Sequence, residues 1–103
     1  MIHVLAQIET VPGRREEFLA EFSEVAILVR KEVGCLEYGA AIDYQTDISL
    51  QKCLGDNVVL IIEKWDSTEH LKMHLVAPHM TDYRNRIKSI VQGITLRVLE
   101  PKV

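Results

Sequence analysis

Apolar and polar positions alternate from Ile2 to Thr10, with Ile2, Val4, Ala6 and Ile8 on one face, until Pro12-Gly13 ends the run. A period of two predicts a strand with one buried side. The period then changes. From about Arg14 to Glu32, Phe18, Phe22, Val25, Val29 and Val33 recur at spacings of three and four, while Arg15, Glu17, Glu21 and Glu24 face the other way. This is the stripe of an amphipathic helix, and Gly34 is its expected stop.

Alternation returns from Leu36 to Tyr44, where Leu36, Tyr38, Ala40, Ile42 and Tyr44 share a face. Gln45-Thr46-Asp47 reads as a turn, Ile48 to Leu54 as a short, weaker strand, and Gly55-Asp56-Asn57 as another turn. Val58 to Trp65 opens with residues apolar on both faces, the pattern of a central strand covered on both sides. Asp66-Ser67-Thr68-Glu69 marks a helix start with Asp66 or Ser67 as N-cap, and Pro78 interrupts that helix. A further helix is expected from His79 to Val91, with Met80, Tyr83, Ile87, Ile90 and Val91 inward. Gly93 then stops it, before a last strand from Ile94 to Leu99.

The order β-α-β-(β)-β-α-α-β predicts an α+β, ferredoxin-like sandwich, an antiparallel sheet with its helices on one face. The other face would carry either Val59, Ile61 and Trp65 or the alternate set. An open apolar sheet face marks an interaction surface. The expectation is therefore a homodimer packed sheet against sheet, with a pocket in each subunit between sheet and helices.

Composition narrows the partners. A chain of 103 residues, 48% hydrophobic and 26% charged, fits one soluble globular domain over residues 1–103. A net charge of −3, with basic residues scattered, gives no footprint for nucleic acid. The opening residues lack a basic leader and a cleavage site, and the longest apolar run, Val58 to Ile62, is far short of a membrane span. No membrane partner is expected, and a cytoplasmic location follows by default. Cys35 and Cys53 form no CxxC pair and are expected to be reduced, buried thiols. GxGxxG, P-loop and GxSxG elements do not occur.

The candidate chemistry gathers in His70-Leu-Lys-Met-His-Leu-Val-Ala-Pro-His-Met80, which holds three of the four histidines. His70 and His74 stand four apart, a spacing that could give two metal ligands on one helical face. No HExxH element is present, Lys72 would repel a dication, and Pro78 turns His79 away, so no metal site is expected. His70 and His3 read as surface residues. His74 shares a helix side with Leu71 and reads either as a core histidine or as a neutral imidazole that takes a phenolic proton. Trp65 closes the core or offers a flat face to an aromatic substrate. Glu63 points to the same side as Trp65 and either orients a histidine or pairs with a partner subunit. Tyr38 and Tyr83 either pack as core aromatics or bond a substrate oxygen. His79 is an ordinary polar residue at a helix start or a partner of His74.

Three motifs together carry a resemblance: Gly34-Cys-Leu-Glu-Tyr38, Glu63-Lys-Trp65 and His74-Leu-Val-Ala-Pro-His79. The chain resembles the antibiotic biosynthesis monooxygenase family of small dimeric α+β barrel proteins, and within it the quinol-oxidising members. The resemblance implies oxidation of a quinol or other hydroxylated aromatic by O₂, with no cofactor bound. It implies a catalytic group of His74, Trp65 and His79, and a substrate-binding group of Tyr38, Glu63 and Tyr83. Polyketide-oxidising members place an Asn shortly before the Trp, where this chain has Ile61, and haem-degrading members differ at the position of His74. Two rival readings stay open: an isomerase of a small phosphorylated hydroxyketone on the same fold, and a non-catalytic dimeric quinone-binding module.

Overall fold

The computed structural model describes residues 1–103. The alternating opening segment is strand β1 (Ile2–Thr10), and the striped segment is helix α1 (Arg15–Val29). They are followed by β2 (Cys35–Ala41), β3 (Val58–Trp65), α2 (Thr68–Leu75), α3 (Pro78–Ile87) and β4 (Val91–Leu99). The four strands form one antiparallel sheet in the order β2-β3-β1-β4. This is the expected ferredoxin-like α+β architecture, with its second helix divided. Ser67 caps α2 by accepting the His70 backbone N–H at 3.3 Å. Pro78 opens α3, where its missing N–H is no loss.

The register decides which face is covered. Val4 pairs with Glu63, Ala6 with Ile61, Ile8 with Val59, and Tyr38 with Glu63. These side chains therefore lie on the helix side, where they join Phe18, Phe22, Val25 and Val29 of α1 in the core. The alternate set faces away: Leu5, Leu60 and Ile62 are half-buried on the open face. Lys64 and Glu37 form an ion pair at 3.7 Å on that same face.

Four expectations are corrected. Helix α1 stops at Val29, so Val33 leaves the stripe and is 74% exposed; Gly34, at φ +85°, turns the chain into β2. β2 ends at Ala41, and residues 42–57 contain no strand. There the Asp43 carboxylate accepts the N–H groups of Leu54 and Gly55 at 2.9 Å each, and the Gln51 amide donates to the Tyr44 carbonyl at 2.8 Å. Side chains thus satisfy backbone groups that a strand ladder would otherwise need. α3 ends at Ile87 and β4 already begins at Val91, because Gly93 pairs with Glu9 inside the ladder instead of stopping a helix. Cys53 is exposed and Cys35 half-buried, both as free thiols. No helix is long and apolar enough to cross a membrane.

Candidate active site

His74 sits in the last turn of α2, where the helix leans on the sheet at the end of β3. It is 2% exposed. The Trp65 ring lies 4.7 Å from its ring and the Tyr38 ring 5.5 Å away, edge-on. Burial holds the imidazole below its ordinary pKa of 6.5, against the opposing pull of Glu32, so the ring is neutral near pH 7.

Glu32 reaches His74 from the turn between α1 and β2. Its Oε2 accepts from His74 Nδ1 at 2.9 Å and from His79 Nε2 at 2.8 Å. The turn is pinned from two sides. The Asp66 N–H donates to the Gly34 carbonyl at 2.9 Å, and His70 packs over the Gly34 backbone while pairing with Asp66. His70 is therefore a half-buried structural residue and not a surface one.

Glu63 is 5% exposed, and its Oε1 accepts the Trp65 indole N–H at 2.9 Å. Burial raises this carboxyl to about 7, with the Trp65 hydrogen bond pulling it down and Glu32 pushing it up. The Tyr83 hydroxyl is fully buried and has no hydrogen-bond partner. Such a group costs stability until something bonds to it.

A cavity of about 190 Å³ lies between sheet and helices, lined by His74, Glu63, Tyr38 and Tyr83 among mostly apolar neighbours such as Ile61 and Met80. Ile94 and Leu96 of β4 form its outer wall and are 62% and 50% exposed, so it opens along that edge. Arg84 stands at the lining and donates to the Leu75 carbonyl at 2.6 Å. Four of the six sequence-derived site residues thus face one space. Trp65 backs His74 without lining the cavity, and His79, also outside the lining, is linked to His74 only through Glu32. Sequence reasoning missed Glu32 and Arg84. Glu32 lies 42 residues before His74, just past the helix stripe, where nothing local marks it.

The arrangement can do acid–base chemistry in an apolar space. A neutral imidazole with one nitrogen anchored can take a proton at the other, and a carboxyl raised by burial and a free hydroxyl can hold oxygen atoms of a ligand. No group of three or more His, Cys, Asp or Glu side chains is set to hold a metal ion.

Comparison with known proteins gives the family and the fold. The profile described as antibiotic biosynthesis monooxygenase matches residues 1–86. The chain is 36% identical over 105 residues to the protein named probable quinol monooxygenase YgiN of Escherichia coli (strain K12), with 100% of both chains covered. Among solved structures, PA3566 from Pseudomonas aeruginosa superposes with a TM-score of 0.82 at 20% identity, covering 99% of this chain and 94% of that one. Rv0793 from Mycobacterium tuberculosis superposes with a TM-score of 0.80 at 20% identity, covering 99% and 95%. These two likenesses speak to the fold alone.

Proposed function

The chain belongs to the antibiotic biosynthesis monooxygenase family, and from that membership we propose that it oxidises a quinol or related hydroxylated aromatic with O₂, without a resident cofactor. The observation that carries this reading is the buried His74, anchored at one nitrogen and lining a largely apolar cavity. His74 acts as general base and takes a phenolic proton at Nε2. The resulting phenolate is electron-rich enough to give an electron to O₂. The balance closes without an outside reductant: a quinol and O₂ give a hydroxyquinone and water, the substrate supplying the electrons.

The other residues take supporting parts. Tyr83 and Glu63 hold substrate oxygen, and Tyr38 contributes ring surface beside His74. Trp65 keeps Glu63 and His74 in place. The cavity is smaller than the roughly 300–1,000 Å³ of drug-sized sites, which suits an arene of one or two rings. The protein works as a homodimer in which Leu5, Leu60 and Ile62 of two copies meet across the open sheet faces. Equilibrium sedimentation at micromolar concentration should give a dimer mass; a monomer would remove that part.

Labelled oxygen tests the reaction. With ¹⁸O₂ and a naphthoquinol, the hydroxyquinone should carry one labelled atom. Turnover without oxygen uptake would move the site to isomerase chemistry, and binding without turnover would make it a quinone-binding module.

A further inference from the structure

We propose that Glu32 is the positioning residue of this site: it holds His74 as the Nδ1–H tautomer and, through the oxygen it shares with His79, lets the charge on His79 set how readily His74 takes a proton. The first half follows from hydrogen-bond chemistry. A carboxylate oxygen only accepts, so both nitrogens that meet Glu32 Oε2 at 2.9 and 2.8 Å must carry hydrogen. His74 Nδ1 is thereby the protonated nitrogen, and Nε2 keeps its lone pair. Free histidine in water favours the opposite tautomer. Without Glu32 the nitrogen that should act as base would more often carry the proton.

The second half follows from where the three groups sit. His74 lines the substrate cavity, whereas Glu32 lines a separate outward hollow of about 360 Å³ with Val33, Met73 and Pro78. His74 is sealed, Glu32 is 15% exposed and the His79 side chain 24% exposed. Solvent protons therefore reach His79 and Glu32 without passing the bound substrate. A second proton on His79 turns its bond to Glu32 into an ion pair on the same oxygen that steadies the His74 imidazolium. Two cations then compete for one carboxylate, and His74 becomes the weaker base. The other charged or titratable groups facing this cluster are Arg84 on α3, Glu63 on β3, and Tyr38 and Cys35 on β2. None of them lies between Glu32 and the two histidines.

This inference rests on His74 as the base, but its first half is testable without turnover. Long-range ¹H–¹⁵N correlation spectra of the ligand-free full-length protein at pH 7.5 report which ring nitrogen carries hydrogen. His74 should be Nδ1–H in the wild type and move toward Nε2–H in Glu32→Ala. An Nε2–H His74 in the wild type overturns the assignment, whether or not the protein oxidises any quinol. In turnover, Glu32→Gln keeps the shape and loses the charge. It should lower kcat about 10²-fold with KM little changed, and Glu32→Asp should recover part of the loss. His79→Gln leaves no second charge on Glu32 and should move the acid limb of the kcat/KM profile to higher pH. An unchanged limb overturns the coupling to His79. An active protein with the expected tautomer but an unaffected Glu32→Gln variant would overturn the positioning role while leaving His74 as base.

Discussion

Two buried groups around the cavity are held in states that favour ligand binding over stability. The Tyr83 hydroxyl has no partner, so Tyr83→Phe removes a desolvated group for which folding gives nothing back. The variant should be more stable by about 1 kcal/mol in chemical unfolding of the ligand-free protein, while KM for a quinol rises about 3–10-fold. A less stable variant with unchanged KM would place the hydroxyl in an internal bond instead. Glu63 yields a pH signature. Its carboxyl is raised from 4.5 to about 7, so its stabilising share is complete below pH 4.5 and is lost as pH rises through about 7. His74 runs the other way: its value is lowered, so its share is present above pH 6.5 and lost as pH falls through its folded value. Glu63→Gln removes only the first effect. Between pH 5 and 7.5, wild type should therefore lose up to about 3 kcal/mol of stability relative to that variant in urea unfolding. Parallel curves would refute the buried-acid assignment. At this scale, Glu63 and His74 were legible because each shares a periodic face with core residues, whereas Tyr38 is buried although Leu36, Ala40 and Ile42 on its face are exposed. Glu32 was not legible, since its role comes from a turn folded back across the sheet end and not from any local pattern.

Among the elements, the turn between α1 and β2 matters most to the site. Gly34 sits at φ +85°, and a Cβ there would lie 2.5 Å from the His70 ring and 2.6 Å from Asp66 Oδ1. Gly34→Ala combines left-handed strain with a collision at the base of α2, for an expected loss of about 2–4 kcal/mol. Because Glu32 lies two residues earlier, kcat should fall further than lost folded protein explains. Thermal unfolding and active-site titration of the same sample separate the two effects, and equal losses in both would show that the turn serves only stability. Helix and central-strand positions were readable from periodicity alone, as in Phe18, Phe22, Val25 and Val29 of α1. The segment 42–57 was not. Ile42, Tyr44 and Ile48 alternate like a strand, but Asp43 and Gln51 bind the backbone locally, and Ile48 and Tyr44 stay exposed.

For the whole molecule, one sheet carries a helix-covered face that opens only along β4 and a half-buried open face, and the reactive groups lie on the covered side. The proposed base thus lies away from the surface proposed to join two copies. The fold was inferable because strand–helix–strand order with alternating faces leaves few topologies. A pocket between sheet and helices was expected as well, but not its volume, which depends on how Met80, Tyr83 and Ile87 of α3 stand off from β1 and β4. Oxygen uptake with menadiol, corrected for spontaneous autoxidation, tests the central claim most directly. The wild-type protein should consume oxygen well above the autoxidation rate, and His74→Ala should lower the enzymatic part about 10²–10⁴-fold while remaining folded. An unchanged rate in the variant, or no uptake by the wild type, would contradict the account.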